Sequence, residues 1–160
     1  MGLTMTLNNI QKAIEIVNKY YYKPVRCKIY KNQVELIKAA SRESRHSYSY
    51  LKKYYEKYLI KNAKNYINSK YYISEKSKTG DDISALSGEP IFLNANIDMP
   101  TISWTVTLLH EAAHLYYFKK SNGKTWGEER NCDLYAIRWI NKIKKINKNN
   151  KIFSINNGKY

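Results

Sequence analysis

A chain of 160 residues with 43% apolar content suits one domain with one hydrophobic core, and that content excludes wholesale disorder. No run of about 18 apolar residues occurs, which excludes a hydrophobic membrane-spanning helix. The net charge of +15, from 28 Lys and Arg against 13 Asp and Glu, favours anionic partners: nucleic acid, anionic membrane or acidic protein. The basic residues are nevertheless spread along the chain, among many Lys, Asn, Ile and Tyr encoded by A/T-rich codons. A low-GC genome yields such a composition without selection for a basic surface, so composition supports no more than weak electrostatic contact with nucleic acid. A low-GC bacterium, its phage or another virus all fit. Cys27 and Cys132 belong to no Cys-x-x-Cys pair, so they are expected as small buried side chains in a reducing compartment.

The opening "MGLTMTLNNIQKAIEIVNKYYYK" lacks a continuous apolar core and a small-residue cleavage site. It reads as the start of the domain, and a cytoplasmic location is expected, or host cytoplasm or virion if the source is viral. "MGLTMT" fits the loose myristoylation pattern through Gly2 and Thr6, a short pattern often met by chance. Leu7, Ile10, Ile14, Val17 and Tyr21 predict a helix over about residues 6 to 22, stopped by Pro24. "PVRCKIY" alternates Val25, Cys27 and Ile29 with Arg26 and Lys28, as a half-buried strand does. From about Val34 to Asn68 the chain lacks Gly and Pro and predicts one long helix, or two with a break near "SRHSYS". "KSKTGDD" predicts a loop. "EPIFLNAN" predicts a short strand, with Ile91 and Leu93 alternating against Phe92 and Asn94, and Pro90 at its start suits an edge. Pro100 and Thr101 open a helix that "KKSNGKTWG" breaks. A last helix is expected from about Glu128 to Lys145, with Cys132, Tyr135, Ala136, Trp139 and Ile143 on one face. One domain over residues 1–145 and a polar, basic, frayed tail over 146–160 follow.

The chemistry concentrates in "LLHEAAHLYYF", Leu108 to Phe118. Four residues apart on a helix, His110 and His114 lie one above the other, about 6 Å along the axis, and both imidazoles can reach one ion. Glu111 projects from an adjoining part of that face, where it can take a proton from a water and later give it to a leaving amine. Catalytic zinc takes three protein ligands and a water, so a third ligand is needed. His46, in "SRHSYS", lacks ligand spacing and reads as a surface or helix-break histidine. Glu129, one turn before Asp133 and on the inward face with Cys132 and Ala136, is the favoured third ligand, with Glu128 the rival. Asp133 is placed to accept the free ring N–H of one histidine. Burying such groups unpaired is costly, whereas one zinc ion per chain compensates them.

"PIFLNANIDMPTISWTVTLLHEAAHLYY" followed by "EERNCDLYA" resembles the ImmA/IrrE type of small gluzincin-like metallopeptidase over about residues 90 to 140. In that family a strand ending in an I-x-L-N segment precedes the metal helix. A later helix carries Glu, then Asn or Asp four residues on, then an aromatic residue and Ala, here Glu129, Asp133, Tyr135 and Ala136. Ala113 stands where many members have Gly, and Cys132 where Ala is common. The resemblance implies a small α+β, minimal zincin-like core, a twisted sheet packed on the HExxH helix and further helices. It also implies zinc-dependent endopeptidase action on a protein or peptide, often a regulatory protein such as a repressor.

The segment Ile91, Phe92, Leu93 and Asn94 is a candidate to bind a substrate backbone by adding a strand at the sheet edge, beside its plain reading as an ordinary edge strand. Tyr116, Tyr117 and Tyr135 read as packing residues. A competing reading is a binding module: "YSYLKKYYEKYLIKNAKNYINSKYY" interleaves Lys with Tyr, as stacking on bases requires. Tyr54 and Tyr58 equally make a helix core stripe, which is the preferred expectation. SprT-like proteases share the H-E-x-x-H helix but typically add a third histidine, and no suitably placed one follows His114. A catalytically silent zincin-like fold serving as a structural part, for instance in a virus particle, is the remaining alternative, against which the intact His110–Glu111–His114 set argues.

Overall fold

The computed structural model describes residues 2–62, 81, 83–147 and 151–153. Its elements are α1 (Gly2–Tyr20), β1 (Cys27–Tyr30), α2 (Gln33–Ser44), α3 (Tyr48–Asn62), β2 (Ala85–Leu86), β3 (Ile91–Asn94), α4 (Thr101–Lys120), α5 (Glu129–Ile146) and a 3-10 turn at Lys151–Phe153. The class is α+β, as expected. Among the described residues no helix is long and apolar enough to cross a membrane.

Local chemistry explains the helix boundaries. Asn32 caps α2, its side chain accepting the Glu35 N–H at 3.0 Å. Arg45 ends α2 in the left-handed conformation, φ 63°, its N–H donating to the Ser41 carbonyl. Ser47 then caps α3 by accepting the Tyr50 N–H at 3.1 Å. The break near "SRHSYS" is therefore real, and His46 is exposed within it. The expected helix beyond Asn62, the "KSKTGDD" loop except Asp81, and the side chain of Tyr58 lie outside the described residues.

The sheet has the order β1-β3-β2. β1 and β3 run parallel with Cys27 opposite Ile91, and β2 runs antiparallel with Ala85 opposite Leu93. This corrects the expected edge position of Ile91, Phe92, Leu93 and Asn94. All four are buried in the central strand, with neighbours on both sides, so no substrate strand can pair there. Pro90 misled because it precedes the pairing: the first ladder bond on that side is made by Ile91 N–H to the Arg26 carbonyl, at 2.8 Å. β2 was not foreseen, because two residues carry no periodicity.

Alternation along β3 divides the core. Ile91 and Leu93 join α1, α4 and α5 in the larger cluster, around the fully buried Trp104, Leu108, Leu109, Ile140 and Ile143. Phe92 joins α2 and α3 in a second cluster with Leu36, Ile37 and Leu51. On α3, Leu51 and the half-buried Tyr55 face inward, whereas Tyr54 is 50% exposed, which corrects its expected place in the core stripe. After α5, Phe153 is fully buried in the larger cluster.

Asn94, the last residue of β3, ties two loops together. Its amide donates to Asp81 Oδ2 at 3.2 Å and to the Ile83 carbonyl at 2.9 Å. The same Asp81 oxygen accepts the Gln33 N–H at 2.9 Å and the Asn96 amide at 3.0 Å. Asp81→Ala removes a charged acceptor shared by three donors, and we expect a loss of about 3 kcal/mol. Urea unfolding checks it, as a lower midpoint with unchanged slope.

Candidate metal centre

Helix α4 is buried from Thr101 to His114 except at Ile102, so it is the central rod of the larger core. α1 fixes its start, because Thr101 donates to Asn9 Oδ1 at 3.1 Å and Asn9 donates to the Met99 carbonyl at 3.1 Å. The rod projects His110 and His114 from successive turns, their ring centroids 5.0 Å apart. α5 packs alongside and presents Glu129 from its first turn. Glu129 Oε2 lies 2.6 Å from His110 Nε2, and Oε1 lies 3.3 Å from His114 Nε2. All three residues are buried, their candidate ligand atoms lie within 4.8 Å of one another, and the group could hold a metal ion. Glu128 is exposed at the cap of α5, which separates it from its neighbour.

The outer ring nitrogens are also held. His110 Nδ1 lies 2.8 Å from Oδ1 of the fully buried Asp133, and His114 Nδ1 lies 2.7 Å from the Trp126 carbonyl and 3.3 Å from Cys132 Sγ. A carboxylate and a carbonyl only accept, so both rings carry their hydrogen on Nδ1. Neutral imidazoles then turn two Nε2 lone pairs towards a carboxylate, and three acceptors converge on one region. A cation must stand among them, either protons on the two Nε2 atoms or a metal ion. Burial works against charged imidazoles, but hydrogen bonds to Asp133 and Glu129, with the charge of Glu111, hold His110 up at about 10. For His114 burial is likewise outweighed, by hydrogen bonds to Cys132 and Glu129 and again by Glu111, which holds it up at about 11. Burial of Glu129 would raise its pKa, yet hydrogen bonds from both imidazoles and their charge keep it well below the usual carboxylate range. The donor set therefore fits a divalent cation.

Glu111 is buried beside this cluster, and Ser87, just past β2, donates to its Oε2 at 2.6 Å. The structure thus brings together His110, Glu111, His114, Glu129 and Asp133. It leaves His46 and Ile91–Asn94 out of that cluster. Tyr116 packs on Tyr135 and on Tyr117 at centroid distances of 5.0 and 5.2 Å. The Tyr135 hydroxyl is joined to that of Tyr21 at 2.5 Å, and burial pushes its pKa up to about 12, so it is committed to packing. Ser87 and the Trp126 carbonyl were not foreseen. A lone hydroxyl after a two-residue strand carries no pattern, and a main-chain carbonyl carries no residue type at all.

The turn carrying the Trp126 carbonyl depends on Gly127, at φ 81°. A Cβ there would come within 2.7 Å of Tyr117 Cδ2 and 3.0 Å of Tyr117 Cβ. Gly127→Ala therefore adds left-handed strain to a clash at a point that is close to backbone. We expect a loss of about 2 kcal/mol, with weaker metal retention as the carbonyl leaves His114 Nδ1, checked by thermal melting with and without a chelator.

No family model matches the chain, and no curated protein or solved structure does so either.

Proposed function

We propose that the chain is a zinc-dependent metalloendopeptidase with a minimal zincin-like core, of the kind its resemblance to the ImmA/IrrE type implies. The observation that carries this reading is the convergence of His110 Nε2, His114 Nε2 and Glu129 on one buried point with both outer nitrogens already held. Two imidazole nitrogens and one carboxylate are the donor set of catalytic zinc, which keeps a further position open. Zinc held by these residues supplies a Lewis acid that polarises a carbonyl and makes water acidic.

The chain's own residues supply the rest. Glu111 takes the proton of the attacking water and returns it to the departing amine. Ser87, by donating to Oε2, turns the other carboxylate oxygen towards that work. Asp133 and the Trp126 carbonyl hold the two rings in one tautomer and orientation. β2 is the edge strand on this side of the sheet and runs directly into Ser87, so a substrate segment aligned on it passes Glu111. The neighbouring face of α4 offers Ala112, Leu115 and Tyr116 to a cavity that Val25 and Ile91 also line, with Lys23, Arg26, Glu89 and Lys119 around it, so an apolar wall stands beside charged groups.

The intact Glu111–Ser87 pair favours the active over the silent reading, since a purely structural zincin-like fold has no use for a buried carboxylate beside the ligands. The test is elemental analysis of the purified protein. About one zinc per chain is expected, lost in Glu129→Ala. A protein that takes up no zinc when dialysed against it rules the proposal out.

A further inference from the structure

We propose that the outward face of α3 binds single-stranded nucleic acid, with the rings of Tyr50 and Tyr54 as its stacking surface. Helical geometry separates two rows of aromatic residues here. Leu51 and Tyr55 turn towards the core, whereas Tyr50 and Tyr54, one turn apart, turn outward and are 53% and 50% exposed. Their ring planes are nearly parallel, 15° apart with centroids at 6.4 Å. His46, exposed in the turn before α3, extends the row by stacking on Tyr50 at 4.8 Å and 29°. Three exposed rings in a row offer sequence-tolerant aromatic area to unpaired bases.

The charge around the row matches a phosphate backbone. Between residues 42 and 57 the chain carries five cations, Arg42, Arg45, Lys52, Lys53 and Lys57, against two acids, Glu43 and Glu56. All five cations are exposed. Lys53 stands three residues after Tyr50 and Lys57 three after Tyr54, so a basic row runs beside the aromatic one. Duplex DNA or RNA hides its base faces and leaves the rings without a partner. A membrane surface calls for an apolar face of Leu, Phe or Trp beside the cations, and the exposed residues described on α3 include none of these. The surface lies on the second core cluster, apart from the metal centre, so the inference stands independently of the peptidase reading.

The test is fluorescence anisotropy of the full chain with a labelled oligo(dT), a duplex of the same length, and vesicles of phosphatidylcholine and phosphatidylserine. The single strand is expected to bind best. Tyr50→Ala and Tyr54→Ala should each weaken it by roughly 5- to 150-fold at fixed salt and leave weak duplex binding unchanged. Lys53→Gln with Lys57→Gln should keep the stacking contribution and flatten the logarithmic salt slope by about 0.7 for each phosphate no longer neutralised. These are surface changes, and circular dichroism verifies that each variant is folded. Oligo(dT) binding that is unmoved by both tyrosine changes, or a preference for duplex or for vesicles, overturns the proposal.

Discussion

Glu111→Gln should retain zinc and lose peptide hydrolysis by about 10²- to 10⁴-fold, the usual contribution of a positioned general base. The substitution is nearly isosteric, and the amide oxygen of Gln can still accept the Ser87 hydroxyl that now bonds Oε2 at 2.6 Å. The side chain therefore stays where it is, and only its ability to take a proton disappears. Glu111 is not among the converging ligand atoms, which belong to His110, His114 and Glu129. Zinc content by elemental analysis and turnover on an unfolded protein substrate, measured on the same preparation, check both halves. A variant that hydrolyses as well as the parent removes Glu111 from the mechanism, and one that loses zinc with activity leaves it a structural part of the metal site.

Stability should depend on pH in opposite ways with and without zinc. In the metal-free protein His110 and His114 are held at about 10 and 11, against an ordinary value of 6.5. Below 6.5 both rings are charged whether the chain is folded or not, and their attraction to Glu129 and Asp133 is fully present. As pH rises past 6.5 the unfolded rings lose their protons while the folded ones keep them, so stability falls until pH passes the folded values. Glu129, held low, contributes in the other direction: its share is present above its ordinary 4.5 and lost as pH falls through its lowered value. The metal-free protein should thus be most stable between about pH 4.5 and 6.5, and should lose on the order of a few kcal/mol between pH 7 and 9. Zinc needs both Nε2 atoms free, so at pH 8 its binding should expel about two protons and its stabilising effect should grow with pH. Thermal melts across this range, with chelator and with zinc, check the first half. Titration calorimetry in two buffers of different ionisation enthalpy counts the protons. A metal-free melting temperature that climbs from pH 7 to 9, or uptake without proton release, refutes the arrangement.

The residues that meet at the candidate metal centre were more legible in the sequence than the sheet was, and the reason is the range of the interactions. His110 and His114 are related by one helical turn, and so are Glu129 and Asp133, so residue spacing alone orients each pair. The meeting of the two pairs needed only that a short turn fold α5 back on α4. The position of β3 in the sheet had no such local record. It depends on β2, two residues whose pairing with β3 decides which strand is central, and on β1, far away in the chain. The phase of α3 was likewise ambiguous, since Tyr occupies both its inward and outward rows and only the packing of Leu51 on Leu36 and Ile37 selects between them. Ser87 and the Trp126 carbonyl act through positions that the fold creates, and no spacing rule encodes them.

The rod that carries both imidazoles is packed by α5, by the sheet, and by α1, whose Asn9 reaches both the residue before its cap and its first hydroxyl. The stretch from residue 90 to 140, which carries β3, α4 and most of α5, is therefore no autonomous module. Lifted out alone it would be a greasy hairpin shedding half its lining to water. The opening third of the chain is the scabbard that holds this rod, and any transplant of the site into another scaffold must bring a substitute for it.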